Sequence, residues 1–233
     1  VGFDAVLFDW MLTLAHYPTP AEHVAAALTT LKRTIPDTGI EALAHALDNA
    51  ANELDVVQAM AIADTSPAAH FAAEHLLYER AGIDAELSAA MYQLLGTPTF
   101  HPAYPDTCAV LASLAGAGIQ IGIVSDIHVD LRVHAREFGF ADHIDAWALS
   151  YELGVQKPDP VIFQSAIDQL GCTPARTLMV GDRAAVDGGA AALGVACLIL
   201  PAPPRWMSRG LDRVTRLVGI QPDGRPPRST VRR

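Results

Sequence analysis

Five short apolar runs constrain this chain most: Ala5-Val-Leu-Phe8, Ile119-Gln-Ile-Gly-Ile-Val124, Ile144-Asp-Ala-Trp-Ala-Leu149, Thr177-Leu-Met-Val180 and Val195-Ala-Cys-Leu-Ile-Leu200. Several are apolar almost throughout, as strands covered on both faces must be. Helical spacing appears between them. Residues 105–116 place Val110, Leu111 and Leu114 on one face, and 129–139 carry Leu131 and Phe138 and end on glycine. Residues 158–171 carry Ile162, Phe163, Ala166, Ile167 and Leu170, with proline at the start and glycine at the end, the usual asymmetry of helix ends. The alternation predicts βαβ units and an α/β fold built on a parallel sheet with right-handed crossovers.

The gap after the first run breaks the rhythm. About 90 residues there read as helix only. Val24, Leu28, Leu31 and Ile35 fall at helical spacing, as do Leu43, Leu47, Leu54, Val57 and Ala61, and segments 67–81 and 84–95 continue the character. Alanine is abundant and glycine scarce, which suits close helix packing. A helical subdomain inserted into an α/β core is the simplest reading.

Composition excludes several functions. With 51% hydrophobic and 18% charged residues, the chain can bury a core and is not globally disordered. No apolar stretch reaches the roughly 20 residues of a membrane span. The opening Val1-Gly2-Phe3-Asp4 lacks a basic signal-peptide region. Cys108, Cys172 and Cys197 are widely spaced and form no metal-binding pattern, so a reducing cytoplasm is the expected setting. The net charge is −10, and segment 16–101 holds only Lys32, Arg33 and Arg80 against eleven acids. Such a surface is a poor match for nucleic acid. Eight arginines lie between 205 and 233, and the Pro/Arg-rich stretch 221–233 is expected to be a flexible tail.

In parallel α/β sheets, ligands bind beyond the carboxyl ends of the strands. The residues there are Asp9 after the first run, Ser125 and Asp126 after the second, and Asp182 after the fourth, with Asp187 five positions on. Lys157, one of two lysines in the chain, precedes Pro158 where the third helix begins. Each is ordinary alone, since Asp and Ser are common at strand ends and helix caps. In this order they suggest one reactive edge.

Here the sequence resembles the haloacid dehalogenase superfamily. Asp9-Trp10-Met11-Leu12-Thr13-Leu14 is similar to its first motif, DxDGTL, with two departures; Ile123-Val124-Ser125 resembles the second. Gly154-Val-Gln-Lys157-Pro-Asp-Pro160 resembles the third, and Gly181-Asp182 to Asp187 the fourth, GDxxxxD. The resemblance implies a Rossmannoid core over 1–15 and 102–220, with an all-helical C1 cap over 16–101. It implies a cytoplasmic, Mg²⁺-dependent phosphohydrolase acting on a small phosphorylated metabolite through an aspartyl-phosphate at Asp9, with neither nucleic acid nor membrane as partner. Lys157 would neutralise charge, and Ser125, Asp126, Thr13 and Trp10 would contact substrate. Asp9, the Met11 carbonyl and Asp182 would hold Mg²⁺, with Asp187 beside them at the metal or orienting Lys157.

Two departures matter. Met11 replaces the usual Asp that protonates the leaving alkoxide, a role worth about 10²–10⁴ in rate. Help from His16, His128 or a cap histidine, or a preference for leaving groups that need little protonation, would compensate. Leu12 replaces glycine, so the turn after Asp9 is expected to differ in shape. The alternatives are a catalytically impaired binding module and a phosphonatase- or dehalogenase-like carbon–heteroatom hydrolase. The former hydrolase would need Lys32 for a Schiff base, and the latter leaves Asp182 and Asp187 unexplained. The acidic, lysine-poor insert also argues against substrates with several further anionic groups.

Overall fold

The computed structural model describes residues 2–201 and 207–220, so the stretch 221–233 read as a tail lies outside the described residues. Five parallel strands form one sheet in the order β3-β2-β1-β4-β5: β1 Ala5–Phe8, β2 Gln120–Ser125, β3 Ala146–Leu149, β4 Thr177–Gly181 and β5 Ala196–Ile199. All five apolar runs became strands. β1 lies at the centre, with Phe8 in register with Ile123 of β2 and Val180 of β4.

The period-two alternation of a strand explains why the runs lack polar residues. Val6 and Phe8 join Ile121, Ile123, Leu178 and Val180 in a cluster on one face; Ala5 and Leu7 join Val124 and Met179 on the other. Between β1 and β2 run the helices α1 Pro20–Thr30, α2 Asp37–Ala50, α3 Leu54–Met60, α4 Pro67–Arg80 and α5 Ala85–Leu95, followed by α6 Thr107–Gly116. Helices α7 Leu131–Glu137, α8 Ser150–Leu153, α9 Pro160–Leu170 and α10 Asp212–Leu217 complete the α-helices of the described residues. The first face of the sheet is covered by Leu111 and Leu114 of α6 and Leu131 of α7, the second by Ile162, Phe163 and Ala166 of α9.

The helical segment has its own core, in which Val24 and Leu28 pack with Leu47, Tyr78, Leu87 and Met91. Its helices begin where local chemistry dictates. Thr19 and Glu22 form a reciprocal capping box at α1, Ser66 caps α4, and Asp84 caps α5 while pairing with Arg33. The stripe through Leu43, Leu47, Leu54, Val57 and Ala61 does not persist as one buried face. The chain breaks between Ala50 and Leu54, where the Asn52 amide donates to the Asp48 carbonyl. Leu54 is left 72% exposed and Val57 49%, and Val56 packs inward instead.

Candidate active site

Asp9 leaves the end of β1 with its N–H still donating to Val180 O at 2.9 Å, so the sheet fixes its backbone. One carboxylate oxygen, Oδ1, accepts from Lys157 Nζ at 2.6 Å, and Oδ2 accepts from Thr13 Oγ1 at 3.0 Å. The turn that returns Thr13 folds on the Trp10 carbonyl, which accepts from the N–H groups of Leu14 and Ala15. Leu12 sits at φ +58°, the left-handed region that glycine favours. The leucine is held there at a cost of about 1 kcal/mol.

Lys157 arrives from the segment before α9. Its Nζ also donates to Asp187 Oδ1 at 2.7 Å, and its backbone N–H donates to Asp126 Oδ1 at 2.8 Å. Burial alone would discharge this lysine, but Asp9, Asp187 and Asp126 outweigh it and hold its pKa above the ordinary value. Asp187 Oδ2 accepts from the backbone N–H groups of Asp182 and Arg183, so with Lys157 on Oδ1 both its oxygens are engaged. Two glycines permit this crowding. A Cβ at Gly181 would lie 2.3 Å from the Asp187 carboxyl, and one at Gly189 2.6 Å from the Pro158 ring.

Carboxylate oxygens of Asp9, Asp182 and Asp187 lie within 4.8 Å of one another. Burial raises the Asp9 pKa despite Lys157. Burial, then Asp9 and Asp187, push Asp182 up to about 6. One ammonium does not neutralise this group of acids, and its hard oxygen donors fit a Mg²⁺-class cation.

The site opens on a cavity of about 310 Å³. From the sheet edge come Asp9, Met11, Asp126, Asp182 and Arg183; from the helical segment come Asp64, His70 and Glu74; His128 follows β2. Four residues singled out in the sequence do not line the cavity. Trp10 does not reach the cavity: it is fully buried against Phe138, Phe140 and Trp147, because the residue after Asp9 points back into the core. Thr13 touches the Asp9 carboxylate rather than the cavity, and Ser125 is buried off its wall with its hydroxyl 3.5 Å from the Asp126 carbonyl. Lys32 is exposed after α1 and does not line the cavity.

Sequence reasoning missed Asp64, His70 and Glu74, and it named His128 only as a source of proton-transfer help. Burial, then Asp126 and Glu74, push the Asp64 carboxyl up to about 7. Burial pushes His70 down to about 3 and His128 to about 4, so both imidazoles are neutral near pH 7.

A model of haloacid dehalogenase-like hydrolases matches residues 3–194. The chain is 33% identical over 113 residues to a phosphoserine phosphatase of Thermus thermophilus, covering 48% of this chain and 43% of that protein. It is 32% identical over 132 residues to (S)-2-haloacid dehalogenase 1 of a Pseudomonas species, covering 56% and 55%. The chain spans about half the length of these curated relatives. In fold it is similar to a phosphatase from Thermococcus onnurineus, with a TM-score of 0.61 at 20% identity over 93% of this chain and 98% of that one. No helix among the described residues is long and apolar enough to cross a membrane.

Proposed function

Because the chain belongs to the haloacid dehalogenase-like hydrolases, we propose that it is a Mg²⁺-dependent phosphohydrolase of small phosphorylated metabolites, with Asp9 as nucleophile. The observation that carries this reading is the Lys157 ammonium bridging Asp9 and Asp187, with Asp182 beside them. An Asp9–Lys157 pair alone suits either branch of the family. The additional acid Asp182, on the cavity wall, suits a cation and a transferring phosphoryl group.

Asp9, Asp182 and the Met11 main-chain carbonyl would hold the ion. When bound, Mg²⁺ supplies positive charge against the phosphoryl oxygens. Asp9 attacks phosphorus, the P–O bond to the leaving group breaks, and an acyl-phosphate forms; water then attacks phosphorus, releasing phosphate and restoring Asp9. Thr13 fixes the orientation of the carboxylate throughout. Lys157 remains charged and balances the developing negative charge, while Asp187 positions that lysine. Met11 can neither donate nor accept the proton needed by an alkoxide, so aryl and acyl phosphates should turn over faster than alkyl esters. The helical segment, which contributes Asp64, His70 and Glu74 to the cavity, would act as the cap that selects the leaving group.

A panel of phosphomonoesters assayed with and without Mg²⁺, beside an Asp9→Asn variant, tests the reading. Metal-dependent phosphate release that vanishes in the variant is expected. No turnover above the variant, or metal-free halide release from a 2-haloacid, would overturn it. The haloacid arm is included because one relative is a dehalogenase and Met11 presents an apolar surface to the cavity.

A further inference from the structure

The cavity has a second end, walled by the helical segment, that the proposed phosphoryl transfer does not use. Asp64 lies in a turn of 3-10 helix, Ala63–Thr65, and His70 and Glu74 sit one turn apart on α4; His128 follows β2. The Ser150 hydroxyl ties this end to the sheet edge: it donates to the Asp64 carbonyl at 2.6 Å and accepts from the Ile127 N–H at 2.8 Å. The imidazoles of His70 and His128 stack face to face, with centroids 3.4 Å apart and planes 12° apart. Two imidazolium ions would repel at that distance, and burial keeps both rings neutral near pH 7.

This end of the cavity gathers carboxyl groups with little to balance their charge. Asp64 Oδ1 and Glu74 Oε1 lie 3.8 and 3.9 Å from one atom, His70 Nε2, and Asp64 Oδ1 lies 4.0 Å from His128 Nδ1. Those separations are too long for hydrogen bonds. His70, Glu74 and His128 are each 8% exposed, and Nδ1 of both imidazoles is buried with no hydrogen-bond partner. Among the described residues, the one Lys or Arg lining the cavity is Arg183, which follows Asp182 at the sheet edge. Arg183 and Lys157 act on Asp64 more weakly than Asp126 and Glu74 do. At Glu74, burial outweighs the Tyr78 hydroxyl and raises the carboxyl pKa. Buried acids left without a counter-ion are stabilised by a cationic guest.

We propose that this wall is a binding site for a primary ammonium lodged between Asp64 and Glu74, which makes phosphate esters of amino alcohols the substrate class; the second clause rests on the phosphohydrolase reading. An ammonium brings three donors and a full charge to a wall of acceptors, and its hydrogen bonds to carboxylates are of the strong, charge-assisted kind. The cavity, about 310 Å³, is at the small end for a ligand site, so a short carbon chain separates the ammonium from the phosphoryl group. The helical segment contributes no Lys or Arg to the lining among the described residues, so it offers nothing to a carboxylate on the leaving group. The choice also suits Met11. An ammonium near the ester oxygen withdraws electrons and lowers the basicity of the departing alkoxide, which Met11 cannot protonate.

Binding and turnover test this separately. The full-length chain with Mg²⁺, at about pH 8, where Asp64 is ionised and the amine still charged, is titrated by calorimetry with 3-aminopropylphosphonate and with butylphosphonate. The two differ by an ammonium in place of a methyl, and neither is a phosphate ester. The aminophosphonate should bind about tenfold tighter or more, and Asp64→Asn and Glu74→Gln should each lower that ratio toward one. Each amide removes a charge that burial disfavours, and circular dichroism melts establish that the variants are folded. The matching esters, 2-aminoethyl and propyl phosphate, give a ratio of kcat/KM values. Electron withdrawal favours the first in any enzyme, so the fall of that ratio in the variants is what reports the site. Equal affinity for the two phosphonates, or a preference that survives in both variants, would overturn the ammonium site whether or not the esters turn over. Preferential binding with hydrolysis of neither ester would support the ammonium site and overturn the phosphohydrolase reading instead.

Discussion

Asp9 has no unengaged carboxylate oxygen: Lys157 holds one and Thr13 the other. In the proposed reaction, a carboxylate held this way would lose little entropy on the way to attack. Its neighbour two positions on is the residue that limits it. Met11 lines the cavity where family relatives of phosphatase type carry a carboxyl group. Met11→Asp should therefore raise turnover of alkyl phosphates by about 10²-fold or more while changing aryl phosphates little, because only the former need a proton in the transition state. Steady-state kinetics on the two substrate classes would check this, and equal effects on both would show that protonation is not what Met11 costs. Much of this residue-level picture was legible beforehand. Asp9, Lys157, Asp182 and Asp187 could be located because strand ends and loops expose their chemistry at fixed points of an α/β sheet. That Trp10 and Thr13 stand off the cavity wall was not legible, because sequence does not reveal on which side of a tight turn a side chain emerges. The positive φ of Leu12 goes against its own preference and accompanies the bond from its N–H to the Ala15 carbonyl.

At the scale of elements, the strands were legible because both faces are covered, which leaves unbroken apolar runs. The helices of the core were equally clear, with α9 running from Pro160 to Leu170 between the Asp159 cap and Gly171 at φ +64°. Legibility declined in the helical segment. There, alanine-rich sequence satisfies helical spacing in several registers, and the break before Leu54 depends on a side-chain bond, Asn52 to Asp48. The site's other half suffered most. Asp64, His70 and Glu74 become functional candidates only once α3 and α4 are oriented toward the sheet edge, and no local pattern encodes that orientation. The physical consequence is a division of labour. The strand ends hold Asp9 and Asp182, while the helical segment, with a separate core around Leu28 and Met91, supplies the facing part of the cavity wall.

For the molecule as a whole, the dominant electrostatic feature is crowding of acids at one edge. The Asp182 carboxyl is pushed up to about 6 from its ordinary 3.8, first by burial and then by Asp9 and Asp187. The native state thus holds that proton more tightly than the unfolded chain does. Its contribution to stability is present below about pH 4 and is lost as pH rises through about 6. In metal-free protein, Asp182→Asn should gain thermal stability over the natural sequence as pH goes from 4 to 7, and comparing the two cancels the opposite effect of the buried histidines. Added Mg²⁺ should close or reverse that gap at pH 7, since ligand binding to the native state stabilises it. Thermal melts at both pH values would check it; a gap independent of pH would show that Asp182 is not destabilised by its neighbours.

The most direct measurement follows oxygen. Single turnovers run in ¹⁸O-labelled water, with the best phosphate ester from the panel and Mg²⁺ present, should be analysed by mass spectrometry of both the released phosphate and the peptide that contains Asp9. Water attack at phosphorus puts the label in phosphate and leaves Asp9 unlabelled, which is the expected result. Label in the Asp9 carboxylate would place water attack at the acyl carbon, label in the released alcohol would mean that the substrate's C–O bond breaks, and labelled phosphate with no phosphate carried by the Asp9 peptide in acid-quenched samples would mean direct water attack; each contradicts water attack at the phosphorus of an aspartyl-phosphate.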